Sequence, residues 1–213
     1  MRLIPSIAAA LVLLISGPSF AQDWIDYSSR VDLFSVNFPG QPKVQDITYP
    51  TEYDITLPGR VYIVENGPNR YSVTVVDYSA GEKIHAARAE QCRKAGGEGD
   101  LCGNRWRAEL QGAIVYATWN LLQRNVKLTH YAHYNADQVE GHRLQLLNPD
   151  KSRTFAAIHM HENRLYILEG TTAAGSPPPA LFQQSLGFLD KEGNRVRYAS
   201  VYSNAYPPPR RTR

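Results

Sequence analysis

The stretch "RLYILEG", residues 164–170, constrains the fold more than any other part of the chain. Side chains alternate across a β-strand, so Leu165 and Ile167 share one face while Tyr166 and Leu168 share the other. Both sets are apolar. An antiparallel strand with one wet face would place polar residues at every second position. This strand is therefore covered on both sides, and helices are the expected cover. The predicted fold class is α+β: an antiparallel β-sheet with helices on both faces, an α/β/α sandwich.

Flanking segments supply the sheet. From Val126 onward, "VKLTHYAHY", "VEGHRLQLL", "RTFAAIHMH" and "RLYILEG" are separated by the turn-forming "NADQ", "NPDKS" and "EN", which predicts a four-stranded antiparallel meander. Earlier, "FSVNFP" alternates Phe34, Val36 and Phe38 before Pro39-Gly40 stops it. Val61–Glu65 and Tyr71–Tyr78 flank "NGPN" as a hairpin. A short apolar alternation, Val196, Tyr198, Ser200 and Tyr202, closes the pattern.

The helices read from a different period. Ser79-Ala80-Gly81-Glu82 fits a capping box, and the alanine-rich "KIHAARAEQCRKA" after it runs to Gly96-Gly97. His85 is expected to be exposed on that helix. A second helix is predicted from about Trp106 to Gln123, with Trp106, Leu110, Ala113, Ile114, Ala117 and Leu121 at three- and four-residue steps. A third is predicted over "SPPPALFQQSLGFLD", with Pro177 in its first turn and Leu181, Phe182, Ser185, Leu186 and Leu189 facing inward.

The N-terminus has the pattern of an export signal: Arg2, the apolar run Ile7 to Ile15, Gly17-Pro18, and small residues around Phe20. Cleavage is expected after Ala21, leaving no transmembrane segment, because that run is shorter than the ~20 residues of a membrane span. Residues 22–203 then form one domain, and 204–213, ending in "PPPRRTR", a solvated Pro/Arg-rich tail. The net charge of the whole chain is only +3, and Arg210, Arg211 and Arg213 carry much of it in the tail. The folded body lacks the basic excess that nucleic-acid binding requires, so that partner class is set aside. Cys92 and Cys102 are the whole cysteine inventory. In an oxidising compartment they make one structural disulfide around the glycine-rich "RKAGGEGDL", since a redox-active pair would more usually be spaced C-x-x-C. The expected location is the periplasm or outside the cell.

With those elements laid out, the chain resembles the PsbP-like family, named for the extrinsic lumenal subunit of the photosynthetic oxygen-evolving complex and including exported bacterial proteins. The resemblance rests on "LFSVNFPGQPKV", "YSVTVVDYS", "VEGHRLQLLNPDKSRTFAAIHMHENRLYILEG" and "LFQQSLGFLD". It implies a PsbP-like architecture and an accessory or binding role. The Cys92–Cys102 segment and the long helix after it depart from the family pattern.

One pattern could support chemistry. His159 and His161 share a strand face, and a hairpin loop over Pro149 to Ser152 would pair Asn148 with Arg153 and set His142 opposite His159. His142, His159 and His161, with Glu140 nearby, could then converge on zinc or copper. The next hairpin opposes that, because a turn at Glu162-Asn163 puts Arg164 opposite His161 and Tyr166 opposite His159. His130 and His133, at an odd offset, point to opposite faces. The chain has no G-x-S-x-G elbow, no Walker-type loop, no H-E-x-x-H and no G-x-G-x-x-G after a strand. Asp77, at a strand end, is expected to cap the following turn. The expected function is a non-catalytic binding or accessory protein of the bacterial envelope without a cofactor, engaging an unidentified protein or envelope component. The alternative is a metal-binding protein or metal-dependent hydrolase using His142, His159 and His161.

Overall fold

A computed structural model describes residues 24–204 and 206–212. The expected signal peptide, residues 1–21, lies outside the described residues. The elements in chain order are β1 (Ile25–Ser29), β2 (Phe34–Phe38), β3 (Lys43–Pro50), β4 (Thr56–Asn66), β5 (Asn69–Asp77), α1 (Gly81–Lys94), a 3-10 turn (Gly99–Cys102), α2 (Trp106–Leu122), β6 (Lys127–Ala136), β7 (Val139–Leu147), β8 (Arg153–His161), β9 (Arg164–Thr172), α3 (Ala180–Gln184), β10 (Gly187–Leu189), β11 (Arg195–Tyr198) and β12 (Arg211–Thr212).

The main sheet has the strand order β3-β4-β5-β9-β8-β7-β6, antiparallel throughout. It consists of two meanders, β3 to β5 and β6 to β9, joined where β5 pairs with β9. The expected meander from Val126 forms, as does the hairpin around "NGPN", whose Gly67 takes a φ of 54° that a side chain would resist. Asp137-Gln138 and Glu162-Asn163 both adopt positive φ, as tight hairpin turns require.

Both faces of β9 are buried, in agreement with the sequence. Leu165 and Ile167 join a core with Ile114, Ala117 and Leu121 of α2, while Tyr166 and Leu168 join the opposite core. The cover on that second face differs from expectation. A second antiparallel sheet, ordered β1-β2-β10-β11-β12, lies there and contributes Phe34, Val36, Phe38, Phe188, Val196 and Tyr198 to the core. Helices α1 and α2 stand on one face alone, and among the described residues the only helix on the other is the five-residue α3. The α/β/α sandwich with helices on both faces is thereby overturned in favour of two packed antiparallel sheets with one helical flank.

The physical reason lies in the segment after Gln184 and in its pairing with β2. The predicted C-terminal helix stops at Gln184, because Gly187-Phe188-Leu189 is a strand pairing with β2. A side chain at Gly187 would come within 2.8 Å of Ser35 Oγ and of the Arg195 guanidinium, so both would have to shift to admit one. Phe182, Leu186 and Leu189 are buried as expected, but Leu181 is exposed. Phe34, Val36 and Phe38 then pair away from the main sheet and line its far side.

Local expectations fared unevenly. Helix α2 covers the predicted span, and α1 ends at Lys94, two residues before Gly96, whose φ is 86°. The capping box does not form: Ala80 occupies the cap without a side-chain bond. Asp77 does cap its turn, its Oδ1 accepting from the Ser79 amide at 2.9 Å. Cys92 and Cys102 stand at disulfide distance, with Cα atoms 5.4 Å apart. Beyond the proline run, Arg211 and Thr212 pair with β11.

Candidate functional site

The three histidines do not converge. The loop between β7 and β8 spans Asn148 to Ser152, one residue longer than expected, with Lys151 at a φ of 65° and Leu147 paired to Arg153. A one-residue slip exchanges the faces of a strand. His142 therefore lies opposite Ile158, on the α2 face, while His159 lies opposite Gly141 on the other. The His159–Tyr166 and His161–Arg164 pairings occur as expected.

Each histidine is committed to protein partners. His159 is fully buried, and its Nδ1–H donates to the carbonyls of Val139 and Glu140, both at 3.2 Å. Burial pushes its pKa down to about 4, because a proton on Nε2 would have no partner. His161 Nε2 shares a 2.7 Å hydrogen bond with the Tyr198 hydroxyl within a box of Phe188, Tyr198 and Tyr202. Burial, with Arg211 and Arg164 nearby, lowers its pKa to about 3. His142 bonds through Nδ1 to Thr118 Oγ1 of α2 at 2.8 Å and through Nε2 to Tyr131 at 3.1 Å. Burial also lowers its pKa, with His133 adding to the effect. Among the described residues, no three His, Cys, Asp or Glu side chains are arranged to hold a metal ion.

Two other features are assembled by the fold. The first lies along one flank of α2. Thr118 faces His142, and helical spacing places Val115 and Leu122 on the same side. On β6, Leu128 lies opposite Leu146 and Tyr131 reaches the same His142, so these side chains share the α2 face of the sheet. Helix α2 rests on β7, β8 and β9, and β6 ends the sheet with its outer edge unpaired among the described residues. Val115 and Trp119 of α2 and Leu128 and Tyr131 of β6 are 60, 57, 41 and 46% exposed.

The second lies on the opposite flank of α2. His85, expected to be exposed, is only 4% exposed, and its Nε2 stands 3.1 Å from Glu109 Oε2. That oxygen also accepts from Thr51 at 2.8 Å, while Glu109 Oε1 is buried without a partner. Above this network opens a cleft of about 340 Å³, bounded by the β3–β4 loop, by α1, and by the turn that Cys102 ties to α1. His85 forms part of its floor. The sequence signal was faint: Glu109 is an acid in the first turn of α2, and only the packing of α1 against α2 brings His85 to it.

These features define a two-sheet antiparallel protein whose four buried imidazoles, His85, His142, His159 and His161, are bonded into the structure. No protein-family model matches the chain, and no curated protein sequence matches it either. Among solved structures it is similar to cyanobacterial PsbP (CyanoP) from Synechocystis sp. PCC 6803, at 12% identity over 74% of this chain and 84% of that one, with a TM-score of 0.39. It also matches the Pseudomonas aeruginosa protein PA94, of unknown function, at 11% identity over 70% of this chain and 83% of that one, with a TM-score of 0.25. Superpositions this loose establish neither a shared fold nor a shared function.

Proposed function

We propose that this is an exported, non-catalytic binding or accessory protein of the bacterial envelope that engages a protein or envelope component through the α2–β6 flank. The observation that carries the proposal is the exposure of Val115 and Trp119 on α2 and of Leu128 and Tyr131 on β6, the strand whose outer edge is unpaired among the described residues. Apolar and aromatic side chains left exposed together mark interaction surfaces, and Trp and Tyr are the residue types most enriched among interface anchors. An open edge also offers backbone donors and acceptors to an added strand. Export is supported by the N-terminal apolar run and by the cysteine pair at disulfide distance, a bond suited to an oxidising compartment. The PsbP-like resemblance of the sequence agrees with an accessory role. The metal alternative would need imidazoles from opposite faces of one sheet.

The test is cross-linking of tagged mature protein in periplasmic extract, comparing wild type with the double substitution Trp119→Ala and Tyr131→Ala. Wild type is expected to capture a discrete partner, and the double variant to lose it roughly a hundredfold, as removal of two anchors of about 1.4 kcal/mol each would produce. Equal capture by both proteins, or turnover of a small substrate by wild type, would refute this reading.

A further inference from the structure

The cleft over His85 carries charge of both signs that the protein does not neutralise. Glu52 and Asp54 line it from the β3–β4 loop, and Arg88 and Arg105 from α1 and the segment after the disulfide-tied turn. Among the described residues none of the four takes part in an ion pair. The guanidinium groups are held in place by neutral acceptors. Arg88 donates to the carbonyls of Tyr53 at 3.1 Å and Asp54 at 2.8 Å, and Arg105 to that of Asp100 at 2.8 Å. Such bonds orient a cation and leave its charge available. Beneath lies the buried Thr51–Glu109–His85 network, with Glu109 1% exposed and one of its oxygens unpartnered. A half-satisfied buried carboxylate is costly.

A ligand of a single charge would be attracted by one pair of side chains and repelled by the other. A ligand carrying both charges meets a complement for each. We infer that this cleft binds a small zwitterion, a free α-amino acid or dipeptide. Its carboxylate faces Arg88 and Arg105, its ammonium group faces Glu52 and Asp54, and its body lies over His85. The volume of about 340 Å³ suits a ligand of that size, and Leu101, 84% exposed at the rim, offers apolar contact to a side chain. This site lies on the flank of α2 opposite Thr118 and His142 and is independent of the exposed α2 and β6 side chains.

Calorimetric titration of the mature protein tests the inference, with L-alanine, L-leucine and L-alanyl-L-leucine as probes and acetate and ethylammonium as single-charge controls. At least one zwitterion is expected to bind, with both controls weaker by roughly tenfold or more. Arg88→Gln and Asp54→Asn, both at exposed positions, are each expected to weaken binding by about tenfold, Asp54→Asn with the melting temperature unchanged. Because Arg88 also anchors the loop, Arg105→Gln serves as an independent variant with the same expected loss. The inference is overturned if no zwitterion binds at about millimolar concentration, if acetate or ethylammonium binds as well as the zwitterions, or if Asp54→Asn and Arg105→Gln both bind like wild type.

Discussion

Acid should destabilise this protein well before its carboxylates protonate, and His161 should account for a measurable share. His159 and His161 are 0 and 1% exposed, with pKa values near 4 and 3 against an ordinary 6.5. Between those limits the unfolded chain binds a proton at each histidine that the native state excludes, so stability falls as pH falls. The contribution is complete above about pH 6.5 and declines below it by about 1.4 kcal/mol per pH unit for each histidine. At about pH 5 the loss is therefore about 2 kcal/mol per ring, or about 4 kcal/mol for the two, a large share of the 5–15 kcal/mol typical of a domain. Asp150 and Asp190 have lowered pKa values, so their contributions are lost only below the ordinary carboxylate range, outside this window. Urea unfolding followed by tryptophan fluorescence at about pH 7, 6 and 5 measures the slope. Replacing His161 with Phe keeps a ring in the box of Phe188, Tyr198 and Tyr202, gives up the Tyr198 bond at about 1 kcal/mol, and removes one titrating group. Its acid-induced loss should be smaller than that of wild type by about 2 kcal/mol at pH 5. Equal stability of wild type at pH 7 and 5, or the same slope in His161→Phe, would refute the reasoning.

Two further outcomes test the packing. Tyr62→Phe removes a donor to Asp32, a carboxylate only 5% exposed that Tyr62 and Arg60 each bond at 2.5 Å, and should lower unfolding free energy by about 1–3 kcal/mol in chemical denaturation; no change would mean that water replaces the phenol. Gly97→Ala would bring a methyl group within 2.5 Å of Cys102 Sγ and 2.7 Å of Cys92 Sγ, so thermal melting should show a loss of about 1–3 kcal/mol, and an unchanged midpoint would show that the loop yields freely.

What the sequence by itself determined is local. Period and turn chemistry are properties of neighbouring residues, so the two-sided burial of "RLYILEG", the hairpin turns, and the spans of α1 and α2 were legible from residue order. Three matters were decided only in the tertiary structure. Apolar alternation in β9 requires cover on both faces and is indifferent to whether a helix or a second sheet provides it; the strand at Gly187 and its pairing with β2 made that choice. One extra residue in the Asn148–Ser152 loop, closed by the Asn148 amide bonding to the Ser152 carbonyl at 2.9 Å, set the parity of the hairpin and sent His142 to the face away from His159 and His161. The burial of His85 came from the packing of α1 beside α2, which sets two residues distant in sequence within hydrogen-bond reach. Parity and layer identity depend on contacts between distant segments, and such contacts leave no periodic trace in either segment alone.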